Sequence, residues 1–224
     1  RCGDAFAGSE ESAYFATAEE TLHVQNLPKG QLPLPSFLAA VQAFYCLNQQ
    51  PSGDDLFDVR KQAALPGRFQ VERQTSTLVF DVAHNPDAVN RLTKKFQETF
   101  RHRRCHAVFA VYKDKDYRAM IKSMMSVVDV WYLPEIGEAR ALEPSLIRDT
   151  LGELGESDVG TYGKVSLACA EASKSALANN ATEHDKNDVI LVFGTFPLVA
   201  EALTFFGTPI KGNNEHDRSL AFGN

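Results

Sequence analysis

The sequence predicts an α/β fold, a mostly parallel sheet with helices on both faces. Two observations predict it. From residue 78 onward, short apolar runs alternate with stretches of helical period, the rhythm of strand–helix–strand units. The runs themselves, such as 78–82 and 189–193, are apolar throughout, as strands buried on both faces are. The composition agrees: 224 residues, 44% hydrophobic and 23% charged, suit a soluble globular protein of one large or two small domains.

The elements follow in order. Residues 13–17 and 21–24 read as two short strands, and 26–31, with Pro28 and Gly30, as a turn or loop. Leu32-Pro33-Leu34-Pro35-Ser36 leads into an apolar, Ala-rich helix over 37–47, with Ser36 as its cap. Residues 51–54 end that unit, and a short polar helix over 55–62 leads to Pro66-Gly67, where a domain boundary is placed. Beyond it, strand 78–82 precedes helix 86–100 and strand 106–111 precedes helix 117–127. Strand 129–133 precedes helix 144–154. Helix 166–178, polar loop 179–187, strand 189–193 and helix 196–206 complete the pattern. The expected division is 1–64, 65–210, and a polar, disordered tail over 211–224.

Several classes are disfavoured. A formal charge of −6 argues against a nucleic-acid partner, whose footprint would be basic. No apolar run approaches the roughly 18 residues of a membrane span, and no secretory signal opens the chain. Cys2, Cys46, Cys105 and Cys169 are scattered without a C-x-x-C pair, so neither a zinc site nor a redox motif is expected, and a reducing cytoplasm is the simplest compartment. The chain opens on Arg1 and its first Met is Met120, so an upstream part is expected to be missing.

The chemistry-bearing residues gather after strands. Side chains just past a strand's carboxyl end face the ligand crevice of a parallel sheet. Asp81 ends an apolar run, where it can accept hydrogen bonds from ribose hydroxyls or hold a cation, or can simply cap a solvated strand end. His84 follows it. Asn85 and Pro86 are a natural helix cap and first helical residue without any function. Arg68 follows the turn signal Pro66-Gly67 and is either a phosphate-reaching guanidinium on a hinge or a surface linker residue. Lys113-Asp114-Lys115-Asp116 is either a polar lip on the same edge or a solvated loop. Gly194-Thr195 permits close backbone approach and an anion-binding helix start, or a plain cap. A G-x-x-x-x-G-K-[ST] phosphate loop is not in the sequence; Gly160-Thr161-Tyr162-Gly163-Lys164-Val165-Ser166 lacks its spacing. A dehydrogenase-type dinucleotide domain would need G-x-G-x-x-G after a strand, which is likewise not found.

Five pieces in order resemble one family. Leu32-Pro33-Leu34-Pro35 before an Ala-rich helix, Pro66-Gly67-Arg68-Phe69, Asp81-Val82-Ala83-His84-Asn85-Pro86, Asp114-Lys115-Asp116 and Val192-Phe193-Gly194-Thr195-Phe196 look like successive motifs of folylpolyglutamate synthase/dihydrofolate synthase, in the Mur ligase superfamily. Arg140-Ala141 sits where that family often has Arg-Ala. The resemblance implies a Rossmann-like C-terminal domain of Mur ligase type, preceded by a small α+β remnant of a central ATP-binding domain. It implies an ATP-dependent amide-bond-forming ligase that phosphorylates a carboxylate and lets glutamate attack the acyl phosphate. ATP with Mg2+, L-glutamate, and dihydropteroate or a reduced folate would be its ligands, in a cytoplasmic monomer. Arg68, Asp81 and Ser36 would contact ATP, Ser36 standing where the family commonly has an adenine-contacting Asn. His84, Asp114, Lys115, Asp116 and Thr195 would form the glutamate-facing or closure surface. Thr195 replaces the usual Ser, and Pro197 a frequent His. The phosphate loop and magnesium ligands would lie in the missing part, leaving this portion inactive alone. The rivals are another Mur-type ligase of cell-wall synthesis and a non-catalytic Rossmann-like binding domain.

Overall fold

The computed structural model describes residues 6–9, 12–16, 21–25, 34–47, 49, 51–62, 65–180 and 188–208. The expected loop at 26–31, most of the loop at 179–187 and the tail at 211–224 lie outside them. The chain divides into two compact units, with the change at Leu65/Pro66.

The first unit holds β1 (Phe6–Gly8), β2 (Ser12–Ala16) and β3 (Thr21–Gln25), paired antiparallel in that order. α1 (Leu34–Cys46) lays Phe37, Leu38, Val41 and Tyr45 against Ala13 and Phe15, and Leu56 of α2 (Gly53–Gln62) joins them. Gln42, buried in that face, is satisfied by one backbone unit. Its Oε1 accepts from Ala16 N–H at 3.1 Å and its Nε2 donates to Ala16 O at 2.7 Å. Ser52 and Asp55 cap α2 reciprocally: Asp55 N–H donates to Ser52 Oγ at 3.1 Å and Ser52 N–H to Asp55 Oδ2 at 3.0 Å. The helix therefore starts earlier than the expected residue 55. Ser36 corrects another expectation. α1 begins at Leu34, so Ser36 is an exposed residue of its first turn and not its cap. Proline is tolerated in a first turn, where its missing N–H would be unpaired anyway, so Pro35 does not delay the helix.

The second unit is the expected sheet with two strands more. β4 (Gln70–Arg73), β5 (Thr77–Asp81), β6 (Cys105–Phe109), β7 (Val130–Pro134), β8 (Val159–Tyr162) and β9 (Val189–Phe193) lie in the order β4-β5-β9-β6-β7-β8. Only β4 is antiparallel to its neighbour; the other pairings are parallel. β4 and β8 are the two edges. Gln-Val-Glu-Arg and Val-Gly-Thr-Tyr carry too few apolar residues to read as strands, and edge strands need few.

The helices cover the faces unequally. α3 (Pro86–Thr99), α4 (Tyr117–Met124) and α5 (Pro144–Glu153) pack on one face, through Val89, Leu92, Phe96, Met120, Ile121, Met124, Ile147 and Leu151. α6 (Val165–Asn180) and α7 (Phe196–Phe205) pack on the other, through Ala168, Cys169, Leu198 and Val199. Strand residues alternate between them: Leu191 and Phe193 belong to the first core, Ile190 and Val192 to the second. The apolar positions 89, 92 and 96 give α3 a single buried stripe. Cys105 and Cys169 are buried free thiols within these cores, and burial pushes the Cys169 thiol up to about 12. His106 Nε2 lies 2.9 Å from Asp188 Oδ2 and its Nδ1 3.0 Å from the Tyr132 hydroxyl, a buried polar chain joining the residue before β9 to β6 and β7.

Gly194 makes the close approach of β9 to β6 possible. Its φ is +121°, and a Cβ there would collide with the Ala110 carbonyl oxygen and the Phe109 ring. Gly194→Ala is expected to cost at least about 2 kcal/mol, from left-side backbone strain plus overpacking. Urea unfolding followed by the fluorescence of Trp131, the single tryptophan and fully buried in this unit, measures it. An unchanged midpoint would show that this backbone relaxes without penalty.

Candidate functional site at the carboxyl edge of the sheet

The parallel register puts the polar clusters on one edge. Asp81 of β5 stands opposite Phe193 of β9, and Phe193 opposite Phe109 of β6. Asp81, His84, Asp114 and Thr195 therefore all follow strands at that edge. The helix after β9 goes to one face, while those after β5 and β6 go to the other. Neighbouring strands whose helices leave on opposite faces open a crevice between them, the usual ligand position in such sheets.

On the β5 side a strap of four residues, Pro66 to Phe69, lies across the strand end. Gly67 O accepts from Val82 N–H at 2.8 Å, and Gly67 N–H donates to Gln70 Oε1 at 3.1 Å. Gly67 has φ +67°, and a Cβ on it would press Val82 at 3.0 Å and Val199 of α7 at 3.2 Å. Phe69, also left-handed at φ +46°, donates its N–H to Asp81 Oδ2 at 2.9 Å. Ala83 N–H donates to Asp81 Oδ1 at 2.8 Å. Both carboxylate oxygens thus hold backbone.

Asp81 is half-buried, and burial raises its pKa against the two N–H donors and the nearby charges of Arg68 and Lys95, which lower it. Lys95, on α3, has its ammonium 4.4 Å from the Phe69 ring centroid. Partial loss of water lowers its pKa, and Asp81 pulls it back up. Lys95 was not singled out by sequence. It lies fourteen residues from Asp81, and no local pattern links them; the one available signal was that a half-buried strand-end carboxylate calls for a cation. The half-buried Arg68 forms no hydrogen bond or close ion pair among the described residues.

His84 is half-buried, with Nδ1 2.9 Å from Val82 O and its ring 5.8 Å from that of Phe196. A carbonyl only accepts, so Nδ1 is the donor of this bond, and Nε2 is the ring nitrogen that can accept in the neutral tautomer. Asn85 caps α3 as expected, accepting from Ala88 N–H at 2.9 Å.

Thr195 takes the capping part that the sequence left open beside the facing one. It is 1% exposed, and its hydroxyl accepts from Leu198 N–H at 3.3 Å as the cap of α7. Phe196, 57% exposed, is what that turn presents.

On the β6 side the charged loop is self-contained. Asp114 Oδ2 lies 2.8 Å from Lys115 Nζ, and its Oδ1 accepts from Arg140 Nη2 at 3.3 Å. The Arg140 guanidinium stacks 4.4 Å from the Tyr112 ring, and Lys113 N–H donates to Arg140 O at 2.9 Å. Asp116 caps α4, accepting from Ala119 N–H at 3.0 Å. The structure thus brings Arg68, Asp81 and His84 together, engages Asp114 and Lys115 with each other, and gives Asp116 and Thr195 capping work. Ser36 belongs to the other unit.

This architecture is that of a ligase domain. Residues 67–196 match the family described as Mur ligase, glutamate ligase domain, which is more than half of the chain. The chain belongs to that family. It is 31% identical over 189 residues to the dihydrofolate synthase/folylpolyglutamate synthase of Escherichia coli, covering 84% of this chain and 41% of that protein. Among solved structures, E. coli FolC in complex with DHPP and ADP superposes with a TM-score of 0.70 at 29% identity, over 92% of this chain and 46% of that one. The Yersinia pestis bifunctional folylpolyglutamate synthase/dihydrofolate synthase complexed with AMPPNP and Mn gives 0.71 at 25% identity, over 92% and 46%. The chain thus spans somewhat under half the length of these three relatives. Among the described residues no helix is long and apolar enough to cross a membrane.

The loop's ion pairs have a measurable consequence. The Lys115 ammonium, then the Arg140 guanidinium, hold Asp114 down to about 2 from 3.8. A carboxylate lowered on folding contributes stability above its unfolded pKa and loses it as pH falls through the folded one. The Asp114 carboxyl is expected to titrate near 2 by NMR. Lys115→Ala should return it toward the ordinary value more than Arg140→Ala does. A titration indifferent to both substitutions would remove this assignment.

Proposed function

We propose that this chain is the C-terminal part of an ATP-dependent ligase that joins L-glutamate to dihydropteroate or a reduced folate through an acyl phosphate. The observation that carries the reading is Arg68, whose guanidinium is unpaired among the described residues and whose two neighbours fasten it by their backbone to the edge where α3 and α7 begin. A planar fork of donors beside two helix N-termini suits a phosphate oxygen. The ligands named for the two FolC-type structures, ADP and AMPPNP, have such oxygens. The first unit, residues 1–64, is read as the end of the central ATP-binding domain, and 65–210 as the C-terminal ligase domain.

Asp81 is assigned to the nucleotide side with Arg68. His84, with Nε2 as acceptor, suits the amino group of the incoming glutamate, and Lys115 and Asp116 the closing surface. Magnesium takes few protein ligands beside phosphate oxygens. Among the described residues no three His, Cys, Asp or Glu converge on one point. The residues present fit the phosphates, and the metal's protein ligands are assigned to the portion beyond this chain, along with the phosphate loop. A cytoplasmic location accords with folate chemistry.

In the complete ligase, Arg68→Ala is expected to weaken ATP use by roughly ten- to a hundred-fold, the worth of about 1.5–3 kcal/mol for a charge-assisted contact. Its effect on stability should be small, since the guanidinium makes no hydrogen bond or close ion pair among the described residues. Steady-state kinetics with ATP varied, beside urea unfolding of the same variant, separate the two. Unchanged kinetics would return Arg68 to a surface linker. The isolated chain should show no micromolar affinity for ATP with magnesium in a calorimetric titration, and such affinity would overturn the division of roles.

A further inference from the structure

We propose that Asp81 is a positioning residue, a latch that holds the strap of residues 66–69 and so fixes where Arg68 stands, with Lys95 closing the latch on the Phe69 ring. The inference rests on the reading of Arg68 as the nucleotide contact. It adds to that reading a positioning role for Asp81.

The argument is geometric. Phe69 is a bulky residue at φ +46°, a region that such residues rarely occupy unless the surroundings impose it. The imposing partner is Asp81, whose Oδ2 takes the Phe69 N–H at 2.9 Å. Asp81 is itself oriented by Ala83 N–H on Oδ1 at 2.8 Å, so the carboxylate cannot swing away without losing a second bond. The Phe69 side chain is buried, stacked with Phe100 at 6.2 Å and faced by the Lys95 ammonium at 4.4 Å. Gly67 completes the clamp on the other side, through Val82 N–H at 2.8 Å. Arg68 is the single residue between these two fastenings. Its backbone is fixed at both neighbours while its guanidinium stays unpaired among the described residues. That is the arrangement that lets a flexible side chain meet an anion with little further ordering.

The latch is tested in two ways. On the chain itself, trypsin cleavage after Arg68 reports the strap, and cleavage after the exposed Arg101 on the opposite edge is the internal reference. Asp81→Ala should speed the Arg68 cut roughly ten-fold relative to the Arg101 cut, because one hydrogen bond to a charged acceptor no longer opposes local opening. Lys95→Ala should speed it less, and Lys95→Arg should restore protection. Lys95 is exposed, so these two variants keep the test open if Asp81→Ala folds poorly. In the complete ligase, Asp81→Ala should raise KM for ATP with less change in kcat, and in an Arg68→Ala background it should cost clearly less than it does alone.

A strap that stays protected in Asp81→Ala overturns the latch. So does a fully additive loss of ATP use in the double variant, which would make the part of Asp81 independent of Arg68. If Arg68→Ala alone has no effect, the reading of Arg68 falls and the inference with it. If Arg68→Ala has its effect while the strap stays protected, the inference falls alone.

Discussion

The position of β9 between β5 and β6 is the constraint on which the rest depends. β5 and β6 are joined by α3, yet they are not neighbours, because the last strand returns to fill the place between them. Its five residues, Val189 to Phe193, are fully buried and bonded in parallel on both sides. That register brings residue 81, residue 193 and residue 109 to one line. It also puts α7 on one face beside two strands whose helices take the other. The crevice on each side of β9 follows from this topology, and the polar residues after the three strands come into one neighbourhood with no contact having to create it. Gly194 is the local cost of that insertion. With a side chain there, β9 could not leave the sheet past the Ala110 carbonyl.

Much of this was legible in the chain, and the reasons for the exceptions are specific. The buried strands could be read because a sheet covered on both faces demands uninterrupted apolar runs, and 189–193 was placed to the residue. The shared edge could be inferred because parallel strands point one way. Asn85 announced its cap. β4 and β8 could not be read, since an edge strand such as Gln70–Arg73 needs its backbone rather than its side chains for pairing. Strand order could not be read either, because nothing in the run 189–193 says which neighbours it will take. Within the site, Thr195 carried two readings, cap or ligand, because the same hydroxyl serves either, and the sequence does not reveal its burial. Lys95 escaped because its relation to Asp81 exists only after α3 has folded back across the sheet.

The charged groups on this edge are alike in type and unlike in fate. Asp114 is shared by Lys115 and Arg140, and Asp116 is committed to a helix end. Exposed pairs of this kind contribute little to stability, but they leave few charges seeking partners. Asp81 is engaged differently. It is half-buried, and its negative charge is met by backbone N–H groups at hydrogen-bond distance and only more distantly by the cations of Arg68 and Lys95. A carboxylate satisfied by N–H donors does not need to draw a guanidinium into a closed ion pair. Arg68 is therefore retained near a negative group without being consumed by it. Had the strap presented its carbonyls to Asp81 instead of an N–H, the carboxylate would have required a direct cation, and Arg68 and Lys95 were the candidates. The left-handed turn at Phe69 is what aims the N–H inward. A backbone conformation that costs energy thus keeps one positive side chain open on an edge where its neighbours are closed upon themselves.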